Sequence, residues 1–451
     1  ISTIGSTCIT APDTQPPRSS LHQTRLSSLT RLSHTPIAHA NNPWAISGSI
    51  EIMSEVPTRP YYDPYDYEID ASPHPIWQRL RDEAPLYYNE DLDFYALSRF
   101  DDVMTASLDG ELFSSAYGTV LELMSEEPNH SPMMIWRDPP EHTRLRKLVS
   151  RAFSPRRIGE LEPRIREICR RYLDPLQGSG GFDYVEEFGA KLPVMVINSL
   201  LGVPEEDHEQ IRIWTDQLLH RDPGEMKSSR RHAEISQELW GYFARYVADR
   251  RKHPTDDMMS TLIASEIEMP DGEIRKLDDT ELLAFIGLLS GAGNETVARF
   301  LGWSATVLAE FPDERLLLTD DPSGIPNAVE EILRYEAPSP VQARRLTRDA
   351  EIHGQRVPEG ARVLLLTASA GRDHREYDDP HRLNVRRQID RHVSLGYGLH
   401  FCLGASLARL EARIALEETL IRFPEWEVDW EATERVHTST VRGYAKVPIR
   451  F

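Results

Sequence analysis

The sequence predicts a mainly helical α+β protein with small sheets, folded as one large domain. Three observations predict this. Helical apolar spacing recurs through 159–175, 205–220, 231–252 and most of the chain as far as 335. Strand signals are short, confined to an aromatic hairpin pattern from Leu86 and to 343–367. One continuous helical run, from Asp278 to Phe311, is long enough to cross a whole domain. The 451 residues are 40% hydrophobic, sufficient for a sizeable core, and no internal repeat divides them.

The elements follow in order. Residues 1–52 hold two acids (Asp13, Glu51), three arginines (Arg18, Arg25, Arg31) and many Ser and Thr. They read as a disordered leader or upstream-translated segment, with the folded domain expected over 53–451. WQRLRDEAP is a short helix ended by Pro85, and LYYNEDLDFYALSRF is a hairpin. Residues 118–132 lack a period and read as loop. DPPEHTRLRKLVSRAF opens a helix with prolines at its start and an apolar stripe of Leu145, Leu148, Val149 and Ala152.

The long run begins with Asp278 and Glu281 in capping-box spacing and stops before Pro312. Its centre, Gly291-Ala292-Gly293-Asn294-Glu295-Thr296, is weak for a helix, since each glycine costs roughly 1 kcal/mol against Ala. Close packing against another backbone accounts for such glycines. So does a groove, widened at the helix centre, where a large flat group approaches with a hydroxyl and a carboxylate beside it.

Net charge is −21, and −22 falls on 53–451, which excludes nucleic acid as a partner. No run reaches ~18 apolar residues, so no membrane-inserted helix is expected. Three cysteines (Cys8, Cys169, Cys402) form no disulfide framework in a chain this long, and a reducing cytoplasm is expected. Cys169 reads as a structural core thiol. Cys402 differs: it lies in GYGLHFCLGASLARLEAR, between Gly396, Gly398 and Gly404 and just before a helical pattern starting at Leu403. A helix N-terminus lowers a thiol's pKa, and the glycines allow close approach of a ligand. A nucleophile paired with His400, a zinc ligand and a haem-iron ligand are the functional readings of such a thiol. Zinc needs more Cys/His neighbours than the sequence shows, and a haem iron needs only one Cys.

The chain resembles the cytochrome P-450 superfamily in its soluble bacterial form over nearly all of 53–451. The family's loop Phe-x-x-Gly-x-x-x-Cys-x-Gly appears as Leu395-Gly396-Tyr397-Gly398-Leu399-His400-Phe401-Cys402-Leu403-Gly404, with Leu395 in place of Phe. Glu331-Ile332-Leu333-Arg334, Ala292-Gly293-Asn294-Glu295-Thr296 and Asp138-Pro139-Pro140-Glu141-His142-Thr143-Arg144-Leu145-Arg146 match three further family motifs.

The resemblance implies haem b, with Cys402 as iron ligand in the loop closed by Gly404. It implies that His142, Arg146, Arg344 and His400 hold the propionates. Ala292 and Gly293 would form the oxygen groove, with Glu295 and Thr296 managing protons. Glu331 and Arg334 would lock the core against the segment of Arg372, Asp373 and Pro380. Leu288, Leu289, Val297, Val341 and Gln342 would line a substrate pocket. Residues 113–135 and 214–230 would form its lid, with Trp136 and Arg137 at the edge.

The activity implied is insertion of one oxygen atom from O2 into a small hydrophobic substrate, by hydroxylation or epoxidation of a terpenoid, steroid, fatty acid or polyketide-like compound. No second Gly-rich strand-turn-helix suggests a flavin or nicotinamide site. Electrons would come from a separate ferredoxin and its reductase, docking on a basic patch of Arg144, Lys147, Arg151, Arg409 and Arg413 of a monomer. Three alternatives stand beside this: a peroxide-driven haem-thiolate enzyme, a non-catalytic haem-binding ligand sensor, and a cysteine hydrolase using Cys402 and His400.

Overall fold

The computed structural model describes residues 59–150, 153–220, 230–269, 272–438 and 440–451. The expected leader 1–52, Cys8, Arg151 and positions 221–229 of the expected lid lie outside the described residues. Among the described residues the helices of ten or more residues are α1 (His74–Glu83), α2 (Glu141–Ser150), α3 (Glu162–Leu173), α4 (Lys191–Leu201), α5 (His208–Leu219), α6 (Arg230–Lys252), α7 (Asp279–Glu310), α8 (Ile325–Tyr335) and α9 (Ala405–Arg422). Among the described residues no helix is long and apolar enough to cross a membrane.

Helix α7 starts where the capping box predicts. The Asp278 carboxylate accepts from the Glu281 amide at 2.8 Å, and Glu281 accepts from the Asp278 amide at 2.9 Å. Phe311 ends it, and Pro312 opens the next helix. Its centre is unbroken helix, and the groove reading has its counterpart in a cavity lined there by Ala292, Gly293 and Thr296. The helix is regular throughout its 32 residues, and Gly293 is explained by packing, because a Cβ there would lie 3.2 Å from Ile197 of α4. Flanking α7 are α4, α6 and α9; its residues from Val297 to Leu308 are buried, whereas Gly291, Ala292, Gly293 and Thr296 at its centre are not.

Strands β1 (Leu86–Asn89), β2 (Phe94–Leu97), β3 (Phe113–Ser114), β4 (Gln342–Leu346) and β5 (Arg362–Leu365) make one five-stranded sheet in the order β1-β2-β5-β4-β3. The expected hairpin is β1–β2, with Leu86 opposite Leu97. β5 pairs with β2 in parallel and with β4 antiparallel, placing Val363 opposite Arg344. A second hairpin, Glu266–Glu268 with Ile274–Lys276, stands in a region expected to be helical. Only Ile267 of its six residues is buried, so no alternation marks it in the sequence.

Helix α8 fixes the chain below the site. Glu331 and Arg334 have fully buried side chains and pair at 2.7 and 2.8 Å. Arg334 also donates to the carbonyls of Gly371 (2.7 Å) and Pro380 (2.9 Å). Glu331 accepts from the Asn384 amide at 2.9 Å and from Arg387 at 3.2 Å. The arginine on Glu331 is therefore Arg387. Arg372 instead binds Glu336 at 2.5 Å and the Tyr335 carbonyl at 3.0 Å. Gly371 is required here, because a Cβ would sit 2.3 Å from the Arg334 carbonyl oxygen.

Candidate active site

A cavity of about 300 Å³ lies between α7 and the loop that leads into α9. From α7 it is lined by Leu288, Leu289, Ala292, Gly293, Thr296 and Val297. That spacing is one face of a helix. The Thr296 hydroxyl donates to the Ala292 carbonyl at 2.9 Å. Glu295, one residue earlier, turns off this face. It is buried and accepts from Arg299 at 2.6 and 2.9 Å. The expectation of both an acid and a hydroxyl beside the cavity thus holds for the hydroxyl alone, because adjacent residues point about 100° apart on a helix.

The opposite wall is the cysteine loop. Gly396 (φ 71°) and Gly398 (φ 65°) take left-handed backbone, and a Cβ on Gly398 would lie 2.8 Å from the Ser107 carbonyl oxygen. The turn brings the Cys402 amide to the Leu395 carbonyl at 2.8 Å. Cys402 lines the cavity just before α9. Burial pushes its thiol up, against the Gly404 amide, Arg146 and Arg409, which pull it down. Burial prevails, so in the protein alone the expected lowering is absent; a bound metal cation deprotonates a coordinating thiol outright. Leu395, the departure from the family loop, lines the cavity, and Gly404 has no neighbour within 4 Å of an added Cβ.

One edge of the cavity is basic. His142 of α2 is 1% exposed, and neither ring nitrogen has a hydrogen-bond partner. Its ring lies 4.3 Å from that of His400. Arg146, one turn on, donates to the Phe401 carbonyl at 2.5 Å. Arg344 of β4 is buried and donates to the carbonyl of Ala343, its own neighbour. Arg345 faces the other way, to Ser125 and Glu126. Burial, then Arg344, His142 and Arg146, push His400 down to about 2. Burial lowers Arg344 to about 10, and burial and Arg146 lower His142. The acid acting on Arg344 and His142 is Asp138, itself held by Ser114 and the Ser115 amide.

Four basic groups around a cavity, two of them imidazoles in ring contact, are costly without an anionic guest. Haem fits this set. Its propionates supply the anions, its iron takes one thiolate, and the bare surface at Gly404 leaves room against the ring.

The chain is 43% identical over 390 residues to the Mycobacterium tuberculosis protein designated cytochrome P450 123, covering 86% of this chain and 96% of that one. The chain belongs to the cytochrome P450 family. The cytochrome P450 family model matches residues 325–443, which include α8, the cysteine loop and α9. This P450 is also 37% identical to the vitamin D(3) 25-hydroxylase of Pseudonocardia autotrophica, over 84% of this chain and 93% of that one. Its fold superposes on a mutant of P450 EryK in complex with erythromycin B with a TM-score of 0.77 at 34% identity, covering 84% and 96% of the two chains. It is accordingly a haem-binding oxidoreductase of the monooxygenase class.

Several expected positions fall elsewhere. Val341 does not line the cavity. It precedes β4 and shares the parity of Ala343, whereas Gln342 and Arg344 line the cavity on the alternate side. Arg409 and Arg413 are committed to ion pairs with Glu330 and with Glu162 and Glu417. Arg144 and Lys147 make none among the described residues, so the expected basic patch is narrower than its sequence count. Cys169 is buried in the core, and burial pushes its thiol up.

Two features escaped the sequence. Glu411 of α9 lines the cavity, buried, with Oε2 unpartnered, and burial raises it to about 8. An acid on the apolar side of α9 was its only signal. Arg212 and Asp216 of α5, paired at 2.5 Å, lie close enough to Glu295 for their charges to act on it, and nothing local to α5 announces a partner so distant in the chain.

Proposed function

We propose that this P450 inserts one oxygen atom from O2 into an apolar small molecule, drawing electrons from a separate ferredoxin and its reductase. The observation that carries this reading is the cavity itself. Cys402 stands on one wall and Thr296 on the other, with a basic edge at one side and a largely apolar lining between. When bound, haem supplies the activation of O2 and the oxygen transfer.

The chain's own residues set the conditions. Cys402 would be the iron ligand. His142, Arg146, Arg344 and His400 would hold the propionates. Leu288, Leu289 and Val297 orient the substrate by excluding water, with Gln342 as the polar contact. Thr296 holds a proton donor at its hydroxyl, and Glu295 resupplies it from the far side of α7. The substrate is of the size and polarity of a steroid or polyketide, in line with vitamin D(3) and erythromycin B in the names of two relatives. The electron donor is acidic and docks by Arg144 and Lys147.

The test is the carbon-monoxide difference spectrum of the reduced holoprotein. Thiolate ligation gives a strongly red-shifted band, and Cys402→Ala abolishes it. Retention of the band in that variant would refute the ligand assignment. A panel of steroids, macrolides and fatty acids, titrated against the ferric spectrum, then selects the substrate class. Turnover with hydrogen peroxide but with no ferredoxin would instead favour the peroxide-driven reading.

A further inference from the structure

Two acids stand side by side on α8, Glu330 and Glu331, and adjacent residues point about 100° apart on a helix. Glu331 turns to Arg334 and Arg387. Glu330 turns to the cysteine loop and takes hold of both its arms. On the entering arm, His392 Nε2 meets Glu330 Oε2 at 3.0 Å, and the Ser394 amide donates to His392 Nδ1 at 3.3 Å. Because Nδ1 accepts, the ring proton stands on Nε2 and donates to the carboxylate. The carbonyl of Leu395, the next residue, accepts from the Cys402 amide at 2.8 Å. On the leaving arm, Arg409 of α9 donates to Glu330 from Nε at 2.7 Å and from Nη2 at 2.8 Å, a bidentate pair. The His392 side chain is 3% exposed, so the entering tie is made inside the protein.

The same carboxylate carries a charge that matters to the sulfur. Two guanidiniums act on Cys402, Arg146 and Arg409, and both favour its ionised form. They are not equivalent. Arg146 donates to the Phe401 carbonyl and makes no ion pair among the described residues. Arg409 carries a counter-charge, Glu330.

We propose that Glu330 is a positioning residue for the iron ligand: it clamps the two arms of the cysteine loop through His392 and Arg409, and its charge offsets that of Arg409 at Cys402. This rests on the reading of Cys402 as the iron ligand. Because Glu330 rides on α8, which Glu331 and Arg334 fix to the scaffold, the clamp refers the loop to the rigid part of the fold. The charge effect has a sign. A bare cation near the iron favours the reduced state, which holds one more electron, and a bare carboxylate favours the oxidised state. With the pair intact the two oppose each other.

The test uses haem-loaded Glu330→Gln, Arg409→Gln and the double variant, titrated with mediator dyes in the absence of substrate and redox partner. The midpoint potential should rise in Glu330→Gln and fall in Arg409→Gln. Each shift should be about tenfold in the ferric–ferrous equilibrium constant, or about 59 mV for a one-electron couple. The double variant should return to near the wild-type value. A merely structural contact would not move the potential in opposite directions, so shifts of one sign in both single variants, or no shift, overturn the proposal.

The second readout is the lifetime of the red-shifted carbon-monoxide band in mild urea. All three variants loosen the loop, so the band should decay roughly tenfold faster in each, the double variant included. A wild-type lifetime in the double variant overturns the clamp. Arg409→Lys keeps the charge and loses the fork, so it should hold the wild-type potential and shorten the lifetime; it decides the matter even where Arg409→Gln fails to take up haem. Cys402→Ala separates this proposal from the reading beneath it. If Cys402→Ala retains the band, the ligand reading fails. If it loses the band while the Glu330 and Arg409 variants match the wild type in potential and lifetime, the ligand reading stands and the role of Glu330 is what fails.

Discussion

Two buried charged clusters flank the haem cavity, and they are built oppositely. Around Glu331 and Arg334, each charge is answered within the protein, by the two side chains themselves, two carbonyls, the Asn384 amide and Arg387. Around His142, His400, Arg146 and Arg344, four basic groups converge with no acid in contact, and both nitrogens of His142 are unpartnered. The glycines repeat the contrast. Gly371 is there because Arg334's carbonyl leaves no space for a Cβ, whereas Gly404 faces open space. A satisfied buried network marks scaffold. An unsatisfied one marks a place where a ligand completes the chemistry.

The comparison can be broken at its strongest point first. Arg334→Ala leaves Glu331 buried with Arg387 as its sole side-chain partner, and a loss of about 3–5 kcal/mol in chemical unfolding is expected with or without haem. A loss confined to the haem-loaded protein would place that cluster with the ligand. Next comes Arg344→Ala, which removes a buried cation with no acid in hydrogen-bond contact and only the field of Asp138 to offset it. Here the haem-free protein should be no less stable, while haem dissociation, followed by transfer to an acceptor protein, should accelerate roughly 10- to 100-fold, the equivalent of one charge-assisted hydrogen bond.

The smallest effect is a pH dependence. Burial works against ionisation of Glu330, yet Arg409 (2.7 and 2.8 Å) and His392 (3.0 Å) hold it down to about 2. A carboxylate depressed in the folded state stabilises fully above its unfolded value of about 4.3, and that stability is lost as pH falls toward 2. The Tm difference between wild type and Glu330→Gln should be largest above pH 5 and vanish near pH 2. A difference that grows on acidification would reverse the assignment.

Much of this was legible in the chain. The capping box at Asp278 and Glu281, the hairpin from Leu86 and the glycines around Cys402 are local signals, and the structure places each where its spacing predicts. Glu331 and Arg334 share a helix face by spacing, and Arg334 reaches the expected segment through the carbonyls of Gly371 and Pro380, but only the fold shows Arg387 on Glu331. The hairpin at 266–276 was invisible because one buried side chain makes no pattern.

What the sequence alone determined is the helix-rich architecture and most of the side chains that line the cavity and its basic edge, since motif spacing and helical period are properties of neighbours in the chain. The tertiary structure decided direction and pairing. It turned Glu295 off the cavity face toward Asp216, pointed Arg344 inward and Val341 away, and tied Arg409 to Glu330. Those outcomes depend on which elements pack together, and side-chain burial and charge pairing across such contacts are set by distance in space and not by distance along the chain.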